Sequence, residues 1–391
     1  MNRVSSLERK YVLDVLDSQF RTSKGAIYMT KFENEFKRKF ESKFAISHVN
    51  GTATMHSILE ASNIGIGDEV IVPPLTMSAT SLAVLHSNAT PVFADVNLDT
   101  FNINASSIES KITGKTKAII TVALYGLSPD MDPIIEIANK HNLLLIEDNA
   151  QAFLSYYKGR LVGTFGDAAS FSFQSSKHLS AGEGGIVTVN NEDLAIKTRK
   201  VSGLGYKNIS AKKARIGKDE IQHPSFERHD CIGWNYRMSE LNCAVALAQT
   251  ERIDELIKPR KEAGRILSEA ALGYDWFKPQ MVNEDYESSY WSFACKLETG
   301  HVSWDTFREE FLRRGGDKYY GAWQLTYNEP LFMKRLFGRR EQFINKNYEK
   351  KICPNAEYLQ PKIKQFKTNY IDKDQVTNQA DILKETLEFF N

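Results

Sequence analysis

A single lysine, Lys177, lies between an apolar stretch and a glycine-rich turn in the segment SFSFQSSKHLSAGEGG, residues 170–185. The stretch before it alternates small and aromatic residues as a buried strand does, and the turn after it can approach a ligand closely because glycine has no side chain. An amine held there could form an imine with a ligand carbonyl and then carry protons. A lone lysine is usually a solvated charge, so the case for chemistry depends on the other segments.

Two further segments carry groups that complement an amine. The strand-like run LLLIED, residues 143–148, ends on Asp148. The segment NGTAT, residues 50–54, opens a helix-like stretch with Gly51 and Thr52, where free backbone amides and the helix dipole can bind a phosphate. Pyridoxal phosphate (PLP) needs this set of groups: an amine for its aldehyde, a carboxylate for its protonated ring nitrogen, and amides and hydroxyls for its phosphate.

Short β-branched runs alternate with amphipathic segments along the first two-thirds of the chain, which is typical of a mostly parallel sheet covered by helices. The predicted strands lie in DEVIVPP, PVFADV, KAIITVAL, LLLIED, ASFSF and GGIVTVN. A helix is predicted over residues 132–141, with Asp132 as its N-cap and Pro133 at its first position. Ligands of such sheets bind beyond the carboxyl ends of the strands, which is where Asp148 and Lys177 are expected.

The pattern changes from Met238 onward to long helical stretches, followed by the strand-like segment WSFACKL at residues 291–297. We therefore predict an α/β protein with a large PLP-binding domain over residues 1–257 and a smaller C-terminal α/β domain over residues 258–391. A chain of 391 residues is long enough for both.

The charge balance and the cysteines limit the possible partners. Lysine plus arginine total 50 against 49 for aspartate plus glutamate, so no global charge favours nucleic acid or an anionic membrane. The four cysteines lie far apart and form no CxxC pair, which argues against a metal cluster or a disulfide scaffold and favours a reducing cytoplasm. No segment has a signal-peptide pattern or an apolar run long enough to span a bilayer. We predict a cytoplasmic protein that binds small molecules and no metal.

The sequence resembles the PLP-dependent sugar aminotransferases of the DegT/DnrJ/StrS family. The resemblance implies the aspartate aminotransferase fold, fold type I, with a mostly parallel seven-stranded-type sheet in the large domain. The matching motifs occur in the order and spacing of the family, and the match becomes loose beyond Ala270. They are NGTAT, GDEVIVPPLT, YGLSPDMD, LLLIEDNAQ, GTFGDAASFSFQSSKHLSAGEGG and WNYRMSELNCAVALAQTERIDEL.

The resemblance implies roles for individual residues. It makes Lys177 the Schiff-base lysine and Asp148 the partner of the pyridinium nitrogen. It implies that Gln151 contacts the ring hydroxyl of the cofactor and that Asn235 reaches the phosphate of the cofactor in the neighbouring subunit. The residues implied to bind the phosphate within the subunit are Gly51, Thr52, Ala53 and Ser172. The contact of Asn235 implies a homodimer with shared active sites. Met77 occupies a position where the family usually has an aromatic residue over the cofactor ring, so the stacking residue stays open.

The implied reaction is transamination. Some family members carry histidine at the lysine position and act as sugar dehydratases, but here the register of SFxxxK places Lys177 at that position and His178 one residue later. The expected donor is L-glutamate or L-glutamine, and the expected acceptor is a keto-carbohydrate, above all a nucleotide-linked keto-sugar of surface-polysaccharide or secondary-metabolite biosynthesis. A cyclitol, a small phosphorylated ketone and a dehydratase reaction stay open as alternatives.

For two further groups of residues, the sequence allows either ligand binding or a purely structural role. Basic residues in a polar segment could receive a phosphate or diphosphate, or could form only a solvated face; they are Lys207, Lys212, Lys213, Arg215 and Arg228. The aromatic residues Trp291, Trp323 and Tyr327 are expected to pack in the interior rather than to contact a ligand.

Overall fold

The computed structural model describes residues 3–20, 27–212, 221–298, 300–344 and 346–391. The described strands, β1 to β14 in chain order, are Phe44–His48, Glu69–Val72, Thr90–Phe93, Thr116–Val122, Leu144–Asp148, Tyr156–Tyr157, Arg160–Leu161, Ala168–Ser172, Gly185–Val189, Phe277–Pro279, Tyr286–Glu287, Ser292–Leu297, Tyr320–Gly321 and Ile363–Lys367. The described α-helices are Ser6–Asp17, Ile27–Lys39, Gly51–Ala61, Ala79–His86, Ala105–Ser110, Met131–Lys140, Glu192–Ser202, Glu240–Glu251, Ile253–Ala270, Trp304–Arg313, Pro330–Met333, Pro354–Leu359 and Lys373–Phe390.

The main sheet has seven strands in the order β1-β9-β8-β5-β4-β2-β3. Strand β9 runs antiparallel to both of its neighbours, and the other pairs are parallel. The prediction of an α/β fold with a mostly parallel sheet is confirmed, and six of the strands lie in the predicted segments. The patterns missed β1, because all five of its residues are buried and a short buried run shows no alternation.

In the segment SFSF, residues 170–173, the alternation of side chains directs the serines and the phenylalanines to opposite faces of the sheet. In β8 and just beyond it, Phe171 and Phe173 point to one face of the sheet, where their ring centres lie 5.1 and 5.9 Å from that of Phe36. Successive side chains of a strand alternate between faces. Ser170 and Ser172 therefore point to the opposite face, toward the start of the helix Gly51–Ala61, where Ser170 Oγ lies 2.5 Å from a threonine hydroxyl of that helix.

The second half of the chain forms a four-stranded antiparallel sheet, β10-β12-β14-β13. The helical stretch before it consists of two helices that meet at Arg252, and the predicted domain boundary at 257/258 falls inside the second of them, Ile253–Ala270. None of the described helices combines the length and the apolar character that crossing a bilayer requires.

One predicted helix cap is wrong by two residues. The helix Met131–Lys140 has Asp130, not Asp132, at its N-cap position, and the Asp130 side chain makes no capping hydrogen bond. Asp132 instead lies in the first turn and pairs with Lys158 at 2.6 Å.

Candidate active site

A cavity of about 500 Å³ opens at the carboxyl ends of the parallel strands, a volume typical of small-molecule sites. Val122, Asp148 and Ser172, which end β4, β5 and β8, contribute to its wall. The opposite wall comes from the C-terminal half of the chain, through Trp291, Tyr320, Trp323 and Gln365. The cavity therefore lies between the two sheets, and both halves of the chain line it.

Most of the predicted site residues meet at this cavity. Those on its wall are Gly51, Thr52, Met77, Asp148, Gln151, Ser172 and Lys177. Ala53 and Asn235 are not on the wall. Met77 is half exposed, with 51% of its surface accessible, and it lies on the wall together with Trp291 and Trp323.

The N-terminus of the helix Gly51–Ala61 forms one end of the cavity. A Cβ atom at Gly51 would lie 3.0 Å from Cβ of Ser172, so a larger residue there would require Ser172 or the helix to shift. The Asn50 side chain caps the helix and accepts a hydrogen bond from the Ala53 amide at 2.8 Å. The phosphate contact at Ala53 stays a prediction, and in this structure the Ala53 amide donates to the Asn50 cap. Thr52 and Ser172 remain on the wall.

The Asp148 carboxylate is held by two hydrogen bonds inside the protein. Oδ2 accepts from Thr80 Oγ1 at 2.8 Å, and Oδ1 accepts from the Ala150 amide at 3.2 Å. Burial raises the pKa of Asp148, while these two donors and the charge of Lys177 oppose that rise. Among the described residues no basic side chain pairs with Asp148 at salt-bridge distance. The site therefore holds a buried acid that a cationic ligand atom would stabilise.

The Lys177 amine lines the same cavity as Asp148. Its Nζ lies 4.9 Å from the centre of the Trp291 ring, and Trp291 Nε1 donates to the carbonyl oxygen of Ser176 at 2.9 Å. Burial lowers the pKa of Lys177 to about 8, and the nearby Asp148 opposes this shift. An amine with such a pKa is partly neutral near pH 7, which makes it both a nucleophile and a base.

The Gln151 amide is oriented by the backbone. Its Oε1 accepts a hydrogen bond from the Tyr125 amide at 2.8 Å, so its nitrogen is the group left to donate to a ligand. Tyr125 lies in the left-handed region with φ of 61°, and its ring is parallel to that of Trp291 with centres 6.5 Å apart. The turn after β4 thus connects the hydrogen-bonding and aromatic parts of the site.

Sequence reasoning missed several residues of the wall. Trp291 and Trp323 line the cavity, contrary to the expectation that they pack in the interior, whereas Tyr327 is fully buried as expected. Thr80, which holds Asp148, was not predicted either. Trp291 and Trp323 lie beyond the last of the matching motifs, and Thr80 lies four residues after the motif GDEVIVPPLT.

The basic residues that were considered as phosphate ligands do not line this cavity, as far as they belong to the described part of the chain. Lys207 pairs with Glu227 at 2.5 Å on the surface, and neither Lys212 nor Arg228 is on the cavity wall. Lys213 and Arg215 lie outside the described residues. In the described part of the chain, no three His, Cys, Asp or Glu side chains group as metal ligands would.

The geometry fits PLP in three respects. The buried Asp148 has room for a cationic partner such as a protonated ring nitrogen. The Lys177 amine lies in the same cavity with no hydrogen-bond partner among the described residues. The N-terminus of an eleven-residue helix, Gly51–Ala61, contributes Gly51 and Thr52 to the wall next to Ser172, and helix N-termini bind phosphate through their amides.

Comparison with known proteins gives consistent matches along the chain. The profile of the DegT/DnrJ/EryC1/StrS aminotransferase family matches residues 2–365. A GDP-perosamine synthase from Escherichia coli O157:H7 is 42% identical over 335 residues, covering 86% of this chain and 85% of that protein. A GDP-perosamine synthase from Caulobacter vibrioides is 39% identical over 300 residues, covering 76% of each. The crystal structure of an aminotransferase from Psychrobacter cryohalolentis matches with a TM-score of 0.86 at 28% identity, covering 99% of this chain and 98% of that one.

Proposed function

The chain belongs to the DegT/DnrJ/EryC1/StrS aminotransferase family and is a PLP-dependent aminotransferase, and on that premise we propose that its acceptor is a nucleotide-linked keto-sugar. The amino donor in this proposal is L-glutamate or L-glutamine. The observation that carries the proposal is one cavity in which Lys177 and Asp148 face an aromatic wall from the C-terminal half. A GDP-linked keto-sugar is the first candidate, because the two relatives above are GDP-perosamine synthases.

Lys177 is proposed as the group that moves the proton. Its Nζ would remove the proton from the α-carbon of the amino donor and return it, which requires an amine that is neutral part of the time at working pH. The lowered pKa of about 8 supports this role. The same Nζ is proposed to attach the cofactor covalently between turnovers.

Other residues of the wall are proposed to hold the cofactor. PLP, when bound, supplies an electron sink. Asp148 would keep a negative charge beside the ring nitrogen, with Thr80 fixing its orientation through the 2.8 Å hydrogen bond. Gln151 would donate to the ring hydroxyl, and Thr52 and Ser172 would bind the phosphate. Met77 or Trp291 would pack against the ring.

The position of His178 supports transamination over dehydration. Lys177 lines the active-site cavity, whereas His178 lines a different cavity. Its Nε2 donates to the carbonyl oxygen of Ser289 at 3.0 Å. The imidazole therefore does not take the place of the lysine amine at this site.

The aromatic wall supports a carbohydrate acceptor. Trp291, Trp323 and Tyr320 line the cavity, and Tyr320 is 74% exposed. Flat apolar ring faces pack against the C–H faces of a sugar or against a nucleotide base. Gln365 adds a hydrogen-bonding group on the same wall, and Glu183 adds one from the N-terminal half of the chain.

A homodimer with shared sites is part of the proposal. Asn235 is exposed and lies off the wall of its own cavity, which is the arrangement expected if it reaches the phosphate of a neighbouring site. Ile232 and Trp234 beside it are 87% and 38% exposed, and exposed apolar side chains are typical of interfaces. We also propose the division into domains 1–257 and 258–391, and a cytoplasmic location, which is supported by four cysteines that form no disulfide.

Transfer of ¹⁵N from labelled glutamate and glutamine tests the acceptor directly. The purified holoenzyme would be given GDP-, dTDP- and UDP-linked keto-sugars, a keto-cyclitol and a small phosphorylated ketone, and products would be identified by mass spectrometry. We expect ¹⁵N in a nucleotide-linked amino sugar, first with GDP. Preferential labelling of the cyclitol or the phosphorylated ketone, or loss of water without ¹⁵N incorporation, would contradict the proposal.

A further inference from the structure

A second cavity, of about 160 Å³, adjoins the backbone beside Lys177. Three basic side chains line it, Arg3, His178 and Arg260, together with the apolar Leu256 and the exposed segment at residues 369–371. No acidic residue is among its described lining residues. The exposed segment leaves a route to solvent, so a small ligand can enter without passing through the active site.

Two guanidinium groups meet at this cavity without a carboxylate partner among the described residues. Arg260 is only 6% exposed, and its Nη1 donates to the Trp291 carbonyl at 3.1 Å and to Thr368 Oγ1 at 3.3 Å. Arg3 Nη2 donates to the Lys177 carbonyl at 2.6 Å, while its buried Nε has no partner. Burial lowers the pKa of Arg260, and the charge of Arg3 lowers it further. Paired arginines of this kind are stable when an anion compensates them.

His178 contributes an unused acceptor. Its Nε2 donates to the Ser289 carbonyl at 3.0 Å, so the neutral imidazole carries its proton on Nε2 and Nδ1 has a free lone pair. This Nδ1 is buried without a hydrogen-bond partner, and the residue is 2% exposed. Burial holds the pKa of His178 well below its usual range, and the charge of Arg260 acts in the same direction.

We propose that this cavity binds a small oxyanion that retains at least one acidic hydrogen, the chemistry shared by hydrogen phosphate and bicarbonate. Its charged oxygens would accept hydrogen bonds from Arg3 and Arg260, and its hydroxyl would donate to His178 Nδ1. Water alone could satisfy the hydrogen bonds but would leave the buried charge of Arg260 and the partly buried charge of Arg3 uncompensated. The cavity is several times larger than the space that one water needs. The site is distinct from the phosphate-binding end of the active site at Gly51.

The location links this site to the proposed catalytic lysine. Arg3 donates from Nη2 to the Lys177 carbonyl, and the same residue lines the cavity. A bound oxyanion would fix the Arg3 side chain and with it the backbone at Lys177. The proposal does not depend on the identity of the sugar acceptor.

Calorimetric titration of the holoenzyme tests the proposal. Bound cofactor fills the phosphate-binding end of the active site, so added inorganic phosphate reports on the second cavity. We expect wild-type protein to bind phosphate and bicarbonate more tightly than chloride, which has no hydroxyl. Arg3→Gln should weaken phosphate binding by about tenfold or more, the loss expected for a hydrogen bond to a charged group. Lys258→Gln removes one exposed charge from the same helix as Arg260 and serves as the matched control.

A second variant tests the acceptor. His178→Leu keeps both guanidinium groups and removes Nδ1, so it should lose the preference for phosphate over chloride. The proposal is overturned if neither phosphate nor bicarbonate binds the wild-type holoenzyme. It is also overturned if Arg3→Gln and Lys258→Gln weaken binding equally, or if chloride binds wild-type protein as tightly as phosphate.

Discussion

Glu147 and Asp148 are consecutive residues at the end of β5, yet their carboxylates bind different parts of the protein. Glu147 accepts hydrogen bonds at 2.7 Å from the amides of Gly163, Phe165 and Gly166, whereas Asp148 lines the active-site cavity. Successive side chains of a strand point to opposite faces. One acid therefore holds a loop in place, and its neighbour is available for chemistry.

Changing Glu147 should affect stability. In Glu147→Gln, the neutral amide accepts more weakly than the carboxylate and has lost one acceptor oxygen, so we expect the free energy of unfolding to fall by about 2 kcal/mol or more. Urea unfolding measures this change, with the exposed Glu136→Gln as the matched control. Equal stability of the two variants would show that the three amide hydrogen bonds contribute little.

Changing Asp148 should affect catalysis more than folding. Asp148→Asn keeps the shape of the side chain but removes the charge beside the proposed ring-nitrogen position. We expect the rate of ¹⁵N transfer to fall by about 10²-fold or more, the size seen when a preorganised electrostatic group is removed. Cofactor should still bind through the phosphate-binding end, which its absorbance reports. A wild-type rate would mean that another group pairs with the ring.

Borohydride reduction should attach the cofactor permanently to Lys177. The reagent reduces an imine between a lysine and PLP to a stable bond, and peptide mapping locates the label. We expect it on Lys177 alone in wild-type protein, and Lys177→Ala should fold but show no turnover. A label on a different lysine, or turnover by the variant, would remove Lys177 from its proposed role.

The pKa of Lys177 predicts how stability of the cofactor-free protein depends on pH. The folded-state value of about 8 lies below the ordinary value of 10.5, so between these values the unfolded state binds more protons. The free energy of unfolding should then rise with pH from about 8 to 10.5, by about 3 kcal/mol in total. Lys177→Met lacks this group and should lack this rise. The difference between the two proteins in urea unfolding at several pH values checks the sign, and a difference independent of pH would contradict it.

Mixing Lys177→Ala with Asn235→Ala should raise activity if the site is shared. Lys177→Ala and Asn235→Ala each remove one group from a composite site, and a two-fold dimer of one of each would contain one site with both groups intact. After subunit exchange we expect the mixture to transfer more ¹⁵N than either variant alone. Sedimentation analysis gives the oligomeric state in parallel. A fully active monomer would refute the shared site and leave Asn235 with a local structural role.

Local pattern predicted much of the fold and part of the site. The β-branched runs located six strands of the main sheet, because a buried parallel strand needs such residues whatever surrounds it. The predicted helix cap at Asp132 was wrong by two residues, since the ion pair of that side chain with Lys158 depends on a segment 26 residues away. The amide of Ala53 was expected at a phosphate, but the Asn50 cap competes for it, and sequence does not show which partner it takes.

The sequence by itself determined the chemical groups: an amine, an acid and a helix N-terminus placed where strands end, in the order and spacing of one family. Only the tertiary structure decided which neighbours complete them. Folding brings Thr80 to Asp148 and Trp291 to Lys177, across 68 and 114 residues of chain. It also directs Lys177 into one cavity and His178 into another. The physical reason is that a side chain's direction and its partners depend on how whole elements pack, whereas strand and helix patterns depend on nearby residues.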